Sequence, residues 1–138
     1  MVDPGVILKR TEQIEKHLDR IRPFMSLSYE AFLKDSIIQD VVEYNLFQVV
    51  NHLIDIFQHV VVDEEYGFPE TAYEAAQILL TKGILGQAEA EKFKQMVGFR
   101  NVVGHDYISM NKEVVYQILT HGEKDIRALL TQITSKFL

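Results

Sequence analysis

The sequence predicts an all-α protein, an up-and-down bundle of about five helices. Three observations predict it. Apolar residues recur at spacings of three and four along most of the chain, and strand-like alternation is absent. Only three prolines and seven glycines occur in 138 residues, so long helices can run unbroken. The segments between periodic stretches are short, as in bundles whose neighbours run antiparallel. The length is that of one domain, residues 1–138, with enough chain to bury a core.

Asp3-Pro4 reads as N-cap and first helical residue. Ile7, Ile14, Leu18 and Ile21 line one face, with Thr11 between them, and Lys9, Glu12, Glu15, Lys16 and Asp19 the other. Pro23 ends this helix. Ser28 then caps a short turn through Tyr29, Phe32 and Leu33. The next helix starts near Asp35-Ser36 and carries two apolar lines. One is Val42, Leu46, Val49, Leu53, Ile56 and Val60; the other is Phe47, Val50, Ile54, Phe57 and Val61. Two adjacent stripes predict a central helix, with surplus apolar surface for a dimer. Its remaining strip is polar: Asn45, Gln48, His52, Asp55 and His59. A turn at 63–67 closes it.

Pro69 and Thr71 open a short helix with Tyr73, Ala76, Leu79 and Leu80 apolar, stopped at Lys82-Gly83. Gly86-Gln87 leads into the next, on which Phe93, Met96 and Val97 share a face. Asn111 reads as the N-cap of the last helix, whose period is set by Val115, Ile118, Leu119, Ile126, Leu129, Leu130, Ile133 and Phe137.

Composition excludes several classes. Cysteine is absent, which removes disulfides and thiolate metal sites and fits a cytoplasmic protein. The first residues lack the basic-then-apolar pattern of a signal peptide. The most apolar stretch carries Asp40, Glu43 and Asp55, so no membrane span is expected. Gly98 and Gly104 follow no strand, so neither a P-loop nor a dinucleotide fingerprint is present and no cofactor is expected. Fourteen basic against twenty acidic residues give a net charge of −6. A nucleic-acid contact must then be local, built from a few cations in one cleft.

One stretch gathers chemistry at a break in the periodicity: Gly98-Phe99-Arg100-Asn101-Val102-Val103-Gly104-His105-Asp106-Tyr107. Arg100 falls on the apolar line of Phe93 and Val97, where a guanidinium is unfavourable unless paired or facing a wet cleft. Gly104 reads as the helix stop. One reading makes Arg100 the partner of a carboxylate and His105 a C-terminal cap. The other is phosphodiester chemistry: the imidazole moves a proton to or from a ribose hydroxyl, and the guanidinium grips the phosphate. No metal is required, and 2′-OH attack on the adjacent phosphate leaves a cyclic phosphate end. One histidine and one arginine are few for this, and a two-fold dimer doubles them.

Arg-x4-His-x-Tyr, read as Arg100, His105 and Tyr107 after a Gly-Phe lead-in, resembles the signature of the HepT toxins within the HEPN superfamily. The helix order is similar along nearly the whole chain. The resemblance implies a homodimeric, metal-independent endoribonuclease acting as a toxin, with Arg100 and His105 as a composite active-site pair. It further implies a partner, an MNT-type nucleotidyltransferase antitoxin that transfers AMP to Tyr107. A bulky anionic nucleotide there would block the cleft and repel RNA.

Around this pair, Asp106 is placed to orient His105 or to deprotonate the phenol. Asn101 either bonds substrate or ties down the helix end. Phe99 reads as core. Glu43, with Asn45, is expected to face the cleft, and Asp40, Glu43 or Asp55 to hold the arginine. His52, Asp55 and His59 share a face at i, i+3 and i+7, but a polar strip explains them better than a metal, and none is expected. His17 and His121 read as surface residues. Two other classes of function stand beside the toxin: a non-catalytic nucleotide-binding or partner subunit of a nucleotidyltransferase, and a plain dimeric structural bundle.

Overall fold

The computed structural model describes residues 1–105 and 111–138, with His105 described by its backbone. Among the described residues six α-helices make up the bundle: α1 (Pro4–Ile21), α2 (Tyr29–Leu33), α3 (Ser36–Asp63), α4 (Ala72–Thr81), α5 (Gln87–His105) and α6 (Lys112–Phe137). A single 3₁₀ turn, Arg22–Phe24, follows α1 at Pro23. The sixth helix is α2, the short turn capped by Ser28, whose Oγ accepts from Ala31 N at 3.1 Å. No strand occurs among the described residues.

Five of the six starts, those of α1, α2, α3, α4 and α6, are capped by a side chain as the residues dictate. Asp3 accepts from Gly5 N ahead of Pro4, and Asp35 Oδ1 accepts from Ile37 N and Ile38 N, both at 3.1 Å. Thr71 and Asn111 cap α4 and α6 in the same way. Two helices end in the paired 6→1 and 5→2 bonds of a Schellman motif. At the end of α4 the left-handed residue is Gly83, at φ +74°. At the end of α3 it is Glu65, at φ +59°, where glycine is usual.

The central position of α3 follows from its two stripes. Val42, Leu46, Val49, Val50, Leu53, Ile54, Ile56, Phe57, Val60 and Val61 are all buried within the one chain. Of the stripe residues Phe47 alone is half-buried, so most of the expected surplus for a dimer is covered within the chain: α1 lies on one side of α3, and α4 and α5 on the other. Phe57 of α3 meets Phe93 of α5 with ring centroids 4.5 Å apart. Further along α5, Gly104 lies over Phe47, so α5 runs antiparallel to α3. α6 closes the bundle against α1, α3 and α5. At the surface Arg127 forks onto Glu15, tying α6 to α1, and Arg22 of the 3₁₀ turn bonds Glu123 of α6. The Arg127 guanidinium holds the Glu15 carboxyl below its usual range.

Gly104 does not stop α5. The helix continues through it to His105, and its φ is not left-handed. A Cβ at 104 would lie 3.2 Å from the Phe47 ring. The glycine therefore serves close approach rather than termination.

Three residues of the polar strip of α3, Asn45, His52 and Asp55, face α1. His17, expected at the surface, is buried there at 8% exposure, with Nδ1 2.9 Å from Asn45 Oδ1. It lies three residues after Ile14 and four before Ile21, on the edge of the apolar face. Asn45 in turn donates to Val41 O at 2.7 Å. The His17 ring stacks on His52, centroids 5.8 Å apart. Arg10 NH1 lies 3.3 Å from His52 Nδ1, and Arg10 also reaches Asp55 at 3.5 Å. Because a guanidinium can only donate, His52 Nδ1 accepts and the ring is neutral.

Burial, with Arg10 and His17 adding positive potential, lowers the His52 pKa below 6.5, against a smaller opposing pull from Asp55. The unfolded chain thus binds this proton more readily, so the contribution is present above pH 6.5 and lost as pH falls through the lower, folded value. The melting temperature should fall by a few degrees between about pH 7.5 and about pH 5.5, and fall less in His52→Gln. Parallel pH curves for the two proteins, measured by calorimetry, would refute this.

Candidate active site

α5 brings Arg100 to the site by continuing the buried line of Phe93, Met96 and Val97. The side chain leaves that line into a cleft of about 280 Å³ between α3, the start of α4 and α5. Gln58, Glu70, Thr71, Tyr73 and Asn101 share its wall with the arginine. Arg100 Nε is buried and has no hydrogen-bond partner among the described residues. No carboxylate lies within ion-pair distance of Arg100 among those residues either. Asp55 is taken by Arg10, Glu43 by Lys112 at 3.0 Å, and Asp40 lies exposed. A half-buried guanidinium without a counter-ion is an unfavourable arrangement that an anionic ligand would relieve.

Of the other expected site residues, Asn101 stands beside Arg100 in the cleft. Phe99 is core, at 3% exposure. Glu43 is not among the residues lining the described wall around Arg100; it bridges α3 to the start of α6 through Lys112. Position 105 closes α5, five residues past Arg100, so the two lie about 140° apart around the helix. Asp106 and Tyr107 lie outside the described residues. His52 and Asp55 are turned to Arg10 and His59 to Asp63, and no three His, Asp or Glu side chains converge as metal ligands among the described residues. Nor does any described helix have the length and apolarity to cross a membrane.

Three residues of the cleft escape the sequence reading, Gln58, Glu70 and Tyr73. Tyr73 is 41% exposed, whereas Ala72, Ala75, Ala76 and Leu79 form the buried face of α4. A strict count of that face places Tyr73 off it, which is the signal the sequence held. A wider groove, mostly apolar, lies between α5 and α6 along Met96, Val114, Ile118 and Gly122. Among the described residues it contains no arginine, and Arg100 lines the other cleft.

The molecule is thus an all-helical bundle that presents a guanidinium, unpaired among the described residues, in a polar cleft on its motif helix. Residues 14–133 match the family model described as Ribonuclease HepT-like, and the chain belongs to that family. It is 25% identical over 131 residues to the mRNA nuclease HepT of Shewanella oneidensis, covering 95% of this chain and 98% of that one. It is 26% identical over 135 residues to the tRNA nuclease HepT of Aphanizomenon flos-aquae, covering 97% and 91%. Among solved structures, the tri-AMPylated Shewanella oneidensis HEPN toxin in complex with MNT antitoxin superposes with a TM-score of 0.86 at 26% identity, covering 98% and 99%. The Bacillus subtilis protein YutE shares the fold, with a TM-score of 0.80 at 13% identity over 98% and 90%.

Proposed function

We propose that this chain is the toxin of a HEPN/MNT toxin–antitoxin pair, a cytoplasmic endoribonuclease that works as a homodimer with residues 1–138 as one domain. The observation that carries the reading is Arg100: a guanidinium with no carboxylate within ion-pair distance among the described residues, in a chain of a ribonuclease family.

In the proposed reaction Arg100 binds the scissile phosphate and stabilises the charge that builds on it. The imidazole of His105 takes the proton of the 2′-OH as O2′ bonds to phosphorus. The P–O5′ bond breaks, and a second imidazole protonates the leaving O5′. The products are a 2′,3′-cyclic phosphate and a 5′-hydroxyl, and no step uses a metal ion. Two-fold pairing supplies the second imidazole, and the wide angle between positions 100 and 105 on one helix favours a cleft shared between copies. Control is by the cognate MNT-type nucleotidyltransferase. The Tyr107 oxygen attacks the α-phosphate of ATP, pyrophosphate leaves, and the phenolic proton passes to a base, for which Asp106 is adjacent. The net charge of −6 favours a second reading, a non-catalytic partner subunit of that enzyme.

Expression without the partner separates the two readings. The wild type should arrest growth and fragment RNA, and His105→Ala should cut about 10²–10⁴-fold more slowly. Intact RNA and equal growth in both cultures would leave only the partner-subunit reading.

A further inference from the structure

We propose that the cleft beside Arg100 is a nucleobase subsite, in which Tyr73 stacks on the base of a nucleotide flanking the scissile phosphate and the carboxamides of Gln58 and Asn101 read its edge. The inference rests on the ribonuclease reading and adds the contacts that would set its sequence preference.

Four features of the cleft carry it. The first is size: about 280 Å³ lies just below the usual range of ligand pockets and suits one base rather than a folded RNA element. The second is Tyr73. The buried face of α4 is alanine and leucine, yet this ring stands 41% exposed at the cleft wall. Its hydroxyl lies 3.6 Å from where a Cβ on Gly98 would be, so the side chain leans across α5 two residues before Arg100. Single-stranded RNA is held by this combination, an aromatic face for the base and a cation for the adjoining phosphate. The third is the pair of carboxamides, each with a donor and an acceptor, the groups that match base edges. The fourth is Glu70, the one carboxylate on the wall among the described residues, which suits an amino group of a base and not a phosphate. Apart from Arg100 and Glu70 the described wall is uncharged, so it is poorly built to hold a polyanion by charge alone. It is better matched to one flat, hydrogen-bonding ring.

The test uses full-length protein carrying His105→Ala, so that RNA binds without being cut, and a short fluorescein-labelled single-stranded RNA read by anisotropy. Adding Tyr73→Leu, which keeps bulk and removes the π-face, should weaken binding about tenfold, while Tyr73→Phe should stay within about twofold. Unchanged melting midpoints show that both variants fold. In the otherwise wild-type enzyme, Gln58→Ala should even out the bases at which a mixed-sequence RNA is cut. Unchanged binding in Tyr73→Leu together with an unchanged cleavage pattern in Gln58→Ala would overturn the subsite and leave the ribonuclease standing. If the wild type neither binds nor cuts RNA, the ribonuclease reading fails and the subsite fails with it.

Discussion

Arg100→Ala should lower RNA cleavage by about 10²–10³-fold, and Arg100→Lys should restore only a small part of it. The guanidinium reaches the cleft from a buried stem, with Nε enclosed and unbonded. A lysine of similar length is a point charge without the planar fork that meets two phosphate oxygens. Stability should move the other way. Removing a half-buried cation that has no counter-ion among the described residues relieves a desolvation penalty, so Arg100→Leu should melt at or above the wild-type temperature while losing activity. Single-turnover cleavage and a thermal melt on the same preparations check both halves. If activity and melting temperature fall together in Arg100→Leu, the arginine is a structural member of the core and the catalytic account is wrong.

The largest loss of stability should come from the ring pair that joins the motif helix to the centre of the bundle. Phe57→Ala or Phe93→Ala should cost about 3–5 kcal/mol, the range for truncating a buried aromatic. Both rings are at 0% exposure, and they meet at 4.5 Å with an interplanar angle of 60°. Each loses its transfer energy and leaves a cavity, and the tilted pair adds a smaller term that disappears in either variant. The double variant should then cost less than the sum of the two singles. Urea unfolding measures this, and a loss below about 1.5 kcal/mol for either single variant would mean that the site collapses or the pair is not formed.

Most of the fold was legible in the sequence because helix periodicity and capping are local. Asp3, Ser28, Asp35, Thr71 and Asn111 all cap as their types and positions indicate. What was not legible depends on which helix lies opposite which. The polar strip of α3 has the same appearance whether it meets α1 or α5, and only packing assigns it to Arg10 and His17. The second stripe of α3 reads equally as core or as an interface, and here α4 and α5 cover it. At the site, Arg100 and Asn101 were legible as adjacent members of a motif. Gln58 and Tyr73 were not, because they arrive from other helices and carry no motif of their own. Gly104 was misread for a related reason: a glycine near a helix end suggests a stop unless the ring packed against it is known.

The contact between Gly104 and Phe47 sets the clearance between the motif helix and the centre of the molecule. Where any other residue would hold the two backbones apart, a single hydrogen atom is the spacer, and the Phe47 ring lies 3.2 Å from the position a methyl group would take. The last turn of α5 therefore has little freedom to slide or rock independently of α3. A side chain at 104 would have to push the motif helix away from α3.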